Sequence, residues 1–238
     1  MTPMDITNPK LAGLDPRWAR FRGFSLLFEN PPDSPLYRAL RQGVAELSDD
    51  ELVTTYGLRL LPPETYHVTV WDGVNDGNLD RVAPPHRAAW ETFLQSIPLP
   101  DFPDELFLDI KTSPLVLHTD WNLRLRCDQI ENWSHISLVA RLAPADSDSA
   151  ATLQRLIAAR DALSALHDAR FGVQPHPAYT PHVTLGYFAN DTLAAAAAPA
   201  VTRWNDTLLA KTAAHTLNVH RILPSVFTDM ASFGRPEP

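Results

Sequence analysis

Two histidines each stand two residues before a threonine: His67-Val68-Thr69 within YHVTVW, and His182-Val183-Thr184 within PHVTLGYF. Side chains alternate between faces along a strand, so in each triplet the imidazole and the hydroxyl project together. An imidazole, with an ordinary pKa of about 6.5, is present in both protonation states near neutrality. A pair can therefore take a proton from one atom while giving one to another. A hydroxyl beside each can donate to an oxygen on which negative charge develops. This set suits phosphoester chemistry without a metal. By the same parity Trp71 shares the first face, and Gly186 and Phe188 share the second. Trp71 and Phe188 are candidates to stack on a base, with packing at strand ends as the alternative. Gly186 would remove bulk where a phosphate approaches.

One such triplet could arise by chance in a chain with nine histidines. Two at matching places in a repeated unit are harder to dismiss. RGFSLLFENPPDS reads as a strand closing on a proline turn. DSPLYRALRQGVAEL then reads as a helix capped by Asp33 or Ser34, with Pro35 in its first turn and Leu36, Leu40, Val44 and Leu47 on one face. YHVTVW is a β-branched, aromatic strand, HRAAWETFLQSI a second helix, and DELFLDIK a third strand. From residue 134 the order recurs. SHISLVARLAPADS is a strand and SAATLQRLIAARDALSALHDARFG a long helix with Ser147 or Asp148 near its cap and Gly172 past its end. YTPHVTLGYF is a strand, DTLAAAAAPAVTRWNDTLLAKTAA is helical with a break near Pro199, and HTLNVHRIL is a strand. Ser25 in FSLLFENPPDS aligns with Ser137 in ISLVARLAPADS. The expectation is one bilobal domain with lobes at about 20–111 and 134–225. Residues 112–133 would form a linking hairpin, in which Arg124 and Arg126 line either a solvated strand face or an anion-holding edge of the cleft. The tail MASFGRPEP is too short to form a unit of its own.

The paired HVTV and HVTL strands, each preceded by a strand-helix unit, resemble the 2H phosphoesterase superfamily, named for its two His-x-Thr/Ser motifs. The likeness runs from about residue 22 to about 223. It implies an α+β fold with two antiparallel sheets around a central cleft and helices outside. It also implies metal-independent phosphodiesterase activity, on cyclic phosphates or RNA ends, with no cofactor. The family includes enzymes opening 2′,3′-cyclic phosphates and RNA ligase-like members. Carried over by residue, His67 and Thr69 form the first motif, and His182 and Thr184 the second. The histidines would be catalytic and the threonines would bind phosphate.

Composition narrows the partner. A net charge of −8 is poorly suited to gripping long nucleic acid, which needs many Lys and Arg on phosphates, so the expected substrate is a small nucleotide or an RNA 3′ end. No apolar run approaches the ~20 residues of a membrane span, and MTPMDITNPK lacks the order of a secretory signal, so a cytoplasmic location is the default. Cys127, the single cysteine, reads as a small buried residue. One rival reading is a module that binds phosphorylated nucleotides or RNA ends without turnover. Another is a metal enzyme using His67, His182 and Asp72, although His-x-Thr is not a metal signature. His135, at the place of the repeat's first strand, reads as a structural strand histidine, and His86, His118, His167, His176, His215 and His220 lack comparable context and read as surface or packing residues.

Overall fold

The computed structural model describes residues 4–12, 18–29, 33–47, 51–98, 101–133, 136–173 and 178–234. In chain order its strands are β1 (Gly23–Phe28), β2 (Leu58–Leu60), β3 (Thr69–Asn75), β4 (Leu123–Trp133), β5 (Ser137–Pro144), β6 (His182–Phe188), β7 (Thr216–Val219), β8 (Ile222–Asp229) and β9 (Ser232–Gly234). The helices are α1 (Pro35–Ala45), α2 (Pro84–Ser96), α3 (Asp104–Lys111), α4 (Pro114–Leu117), α5 (Ser147–Phe171), α6 (Asp191–Ala196) and α7 (Ala198–Thr212). Two antiparallel sheets result, ordered β3-β1-β8-β9 and β2-β6-β5-β4-β7. The fold is α+β. His135 and His176 lie outside the described residues.

Local signals explain the helix ends. Pro35 opens α1 behind Ser34, fixing φ where no amide partner exists, and Leu36, Leu40 and Val44 bury one face. Helix α5 is capped one residue earlier than expected: Ser149 N–H donates to the Asp146 carboxylate at 2.8 Å. It ends at Gly172, whose φ of 73° is the left-handed conformation that glycine adopts without penalty, and Gly172 N–H returns to Asp168 O. The break expected near Pro199 falls between α6 and α7.

Three expected elements change. DELFLDIK is helix α3, because Leu106, Phe107 and Ile110 are buried while Leu108 is exposed, a helical rather than an alternating pattern. Pro103 and the acidic pair Asp104 and Glu105 are its start signals. Residues 112–133 are not an added hairpin: they contain α4 and then β4, an interior strand of the larger sheet flanked by β5 and β7. Its alternation is real, with Leu123, Leu125 and Cys127 buried and Arg124 and Arg126 exposed. HTLNVHRIL splits at His220 and Arg221, sending β7 and β8 into different sheets.

The two halves of the chain are interleaved. β8, from the end of the chain, pairs with β1 in the smaller sheet, while β2, from the first half, lies beside β6 in the larger one. Helix α1 packs on α7 and β7, and α5 lies against β4 and β5. From there α5 reaches β3, where Arg160 Nε donates to Val70 O at 3.1 Å and Trp71 Nε1 donates to Ser164 Oγ at 3.1 Å. Behind the smaller sheet, Phe24, Trp90, Phe93 and Phe107 meet largely edge to face. Each such ring removes roughly 150–250 Å² from water. At about 25 cal/mol/Å² that is about 4–6 kcal/mol before entropy, enough to hold one sheet firmly on its helices.

Candidate active site

The sheets meet where the motifs are. Val68 and Val183, the central residues of the two triplets, form an isolated antiparallel bridge. The approximate two-fold relation between the motifs therefore passes between these buried valines, and His67, Thr69, His182 and Thr184 line one groove of about 450 Å³.

Each imidazole is held in the same way. His67 Nδ1 lies 2.7 Å from Thr65 O, and His182 Nδ1 lies 3.0 Å from Thr180 O. A carbonyl only accepts, so Nδ1 carries the proton in each neutral ring, and Nε2 is left with its lone pair. Each ring also lies against an aromatic: His67 is 4.2 Å from Phe233 and His182 is 4.1 Å from Trp133, centroid to centroid. The Trp133 indole N–H donates to Glu131 at 2.7 Å. Burial pulls both histidine pKa values below the usual value, opposed by the carbonyl at Nδ1. Asp72 pulls each up and Lys10 pushes each down. Beyond these shared influences the rings differ. A charge on His182 lowers His67 further, whereas Glu131 favours the imidazolium at His182.

The parity after each threonine differs from the expected alternation. Leu27 pairs with Thr69 but Leu26 pairs with Trp71, so Val70 is an extra residue in β3. Val139 pairs with Thr184 but Leu138 pairs with Gly186, so Leu185 is the extra residue in β6. Both motifs thus carry a bulge immediately after the threonine, which shifts the side chains that follow it to the opposite face. The next groove-facing residues are Asp72 and Tyr187, each three residues after its threonine. Ser25, which pairs with Asp72, and Ser137, which pairs with Tyr187, also line the groove, so their alignment in the sequence has a structural counterpart. Ser25 Oγ donates to Asp72 Oδ1 at 3.3 Å.

The bulges correct three residue assignments. Trp71 and Phe188 are both fully buried, so neither is available to stack on a ligand. Gly186 does not open the groove. A Cβ there would sit 2.5 Å from Arg59 O and 3.1 Å from Leu60 Cα, so its lack of a side chain admits β2. Arg124 and Arg126 are absent from the groove lining: Arg124 pairs with Asp146 at 3.2 Å and Arg126 with Asp128 at 3.3 Å. Arg124 instead borders a separate depression with His220 and Asn218.

Other groove residues carry no local sequence signal. Phe233 belongs to the tail, which folds back as β9 beside β8. Lys10 comes from the N-terminal segment. Among the other histidines, His167 is buried against Trp71, Trp90 and Phe171, with Nδ1 2.7 Å from Val173 O. Cys127 is buried and unpaired. Among the described residues no group of three His, Cys, Asp or Glu side chains is placed to hold a metal ion, and no helix is long and apolar enough to cross a membrane.

No protein-family model and no curated protein sequence matches the chain. Solved structures that match the chain include three of low sequence identity. A conserved protein of unknown function, ATU0111 from Agrobacterium tumefaciens, matches with a TM-score of 0.57 at 17% identity, over 94% of this chain and 88% of its own. TT0787 of Thermus thermophilus gives a TM-score of 0.42 at 15% identity, over 71% of this chain and 75% of its own. Usb1 of Kluyveromyces marxianus gives 0.43 at 12% identity, over 92% of this chain and 98% of its own. Two antiparallel sheets meet at paired His-Val-Thr strands, with both imidazoles and both threonines on one groove, which is the fold that the resemblance of the motifs implies.

Proposed function

We propose that the chain is a metal-independent phosphodiesterase that hydrolyses a cyclic phosphate, either a 2′,3′-cyclic nucleotide or the cyclic end of an RNA. The observation that carries this reading is the matched tethering of His67 and His182 through Nδ1, which leaves two Nε2 atoms beside two threonine hydroxyls in one groove. Nε2 of His67 takes a proton from water as the water oxygen bonds to phosphorus. Nε2–H of His182 protonates the ribose oxygen as its bond to phosphorus breaks, giving a phosphomonoester. Thr69 and Thr184 donate to the non-bridging oxygens, where negative charge accumulates. The assignment of base to His67 and acid to His182 is part of this proposal; it agrees with a difference between the rings, a neighbouring Glu131 at His182 that His67 lacks, although burial lowers both. Proton exchange with solvent restores the starting state.

Phosphorus NMR on 2′,3′-cyclic nucleotides, with and without chelator, tests the reading. The expected result is chelator-insensitive ring opening that falls by about 10²–10⁴ in both His67→Ala and His182→Ala. Full rate in either variant would exclude the paired mechanism. Binding of nucleotides without any turnover would favour the recognition-module alternative.

A further inference from the structure

Of the chain's three lysines, Lys111 pairs with Asp104 at 2.7 Å and Lys211 with Glu46 at 2.6 Å. Lys10 has no carboxylate partner among the described residues, yet it lines the groove of a chain whose net charge is −8. Its ammonium lies 4.7 Å from the Tyr187 ring centroid and 5.6 Å from that of Phe21, and it donates to Tyr187 Oη at 3.4 Å.

The placement is built rather than incidental. Thr7 N–H and Asn8 N–H both donate to Ala189 O, at 3.0 and 3.1 Å, just past the end of β6. Buried Asn8 donates from Nδ2 to Phe188 O at 2.9 Å and accepts Lys10 N–H at Oδ1 at 3.1 Å. Asn190 Nδ2 donates to Asp5 O, and Ala19 N–H donates to Lys10 O. The N-terminal segment is thus strapped to the second motif strand and delivers one cation beside Tyr187. Across the pseudo-two-fold relation the equivalent place is Asp72, a carboxylate. The His-Thr pairs are alike, but the next residue along the groove is anionic in one half and accompanied by an ammonium in the other. Arg81 also borders the groove, but from an exposed turn after β3.

We propose that Lys10 and Tyr187 form a second-anion subsite that holds a further phosphate of the substrate, one sugar away from the phosphate that reacts. This rests on the phosphodiesterase reading above. The reacting phosphate already has two threonine hydroxyls and two imidazoles. Tyr187 lies one groove-facing step beyond Thr184, at about 3.3 Å of rise per strand residue. The substrate class is a nucleoside cyclic phosphate bearing a phosphate on its 5′ oxygen, either a terminal monoester or the diester to a preceding nucleotide. Asp72, on the opposite half, suits hydroxyl or amino donors.

The test is calorimetric binding of product-like probes: adenosine 3′-monophosphate, adenosine 3′,5′-bisphosphate and a 5′-hydroxyl diadenosine 3′-phosphate. Wild-type protein is expected to bind one or both of the doubly phosphorylated probes roughly tenfold more tightly than the monophosphate, as a charge-assisted contact gives. Lys10→Met, which keeps the length that packs on Phe21 and Tyr187, should abolish that preference, weakening the doubly phosphorylated probes more than the monophosphate. Lys10→Arg should retain it. Preference for the bisphosphate alone identifies a terminal phosphate, and preference for the dinucleotide identifies a diester. An equal loss for all probes in Lys10→Met, a preference that survives it, or no preference in wild type overturns the proposal. Cyclic-phosphate turnover on the same preparations separates the readings. Turnover without preference removes the subsite alone, whereas preference without turnover removes the phosphodiesterase.

Discussion

The two His-Val-Thr segments reach the same geometry by different means. β3 is an edge strand, and its bulge is held from behind by α5: Arg160 bonds Val70 O, and Trp71 fills the core and bonds Ser164. β6 is interior, and its bulge is held from beside by β2, with Leu61 N–H donating to Leu185 O at 2.8 Å. The residue two past each threonine records the difference. It is Trp71 where there is a core to fill and Gly186 where a backbone must pass. Matched motifs can therefore be equivalent in geometry while their supports are not, because the support is set by whatever element lies next to each strand.

The largest effect expected from breaking this comparison is chemical. If His182 supplies the proton to the leaving oxygen, a phosphodiester with a p-nitrophenolate leaving group should recover most of the 10²–10⁴-fold loss in His182→Ala, because that group departs unprotonated. His67→Ala should show no such recovery. Equal behaviour of the two variants would reverse or erase the assignment.

The supports should then differ in stability. Trp71→Ala removes a fully buried indole and is expected to cost about 3–5 kcal/mol in urea unfolding. Gly186→Ala, where the added carbon meets β2 backbone, should cost about 1–3 kcal/mol. Arg160→Met leaves Val70 O without its donor, for about 1–3 kcal/mol, and should lower kcat more than it raises KM by loosening the first motif only.

The smallest effect is a displacement in pH. Burial lowers both histidine pKa values, so above about 6.5 both rings of the free protein are neutral and the acid is missing, while at low pH both are charged and the base is missing. The kcat/KM profile should be a bell centred below pH 6.5. Bound phosphate favours the imidazolium, so the kcat profile should lie at higher pH. The same lowered values mean that the unfolded chain binds more protons, so stability should be complete above about pH 6.5 and fall as pH drops below it. His182→Ala should flatten that fall in a urea titration.

Much of this was legible in the residues themselves. The two triplets, the strand character of their β-branched cores, the Pro35 start, the Gly172 stop and the alignment of Ser25 with Ser137 are all local facts of residue type and spacing. The α3 signals were equally local, in Pro103 and the acidic first turn, but four apolar residues in a row of five obscured the helical period. What the sequence could not determine are relations between segments distant along the chain. Val70 and Leu185 become bulges only against β1 and β5, because a bulge is a mismatch in count between two strands. Trp71 and Phe188 face the core for that reason. β4 became interior because β5 and β7 flank it, although its own alternation is that of any half-solvated strand. Lys10, far from both triplets in sequence, stands in the groove only because Asn8 and its neighbours close onto the end of β6. Single residues and their spacing pointed to the paired motifs on which the proposed chemistry rests, and contacts across the fold decided which side chains share the groove with them.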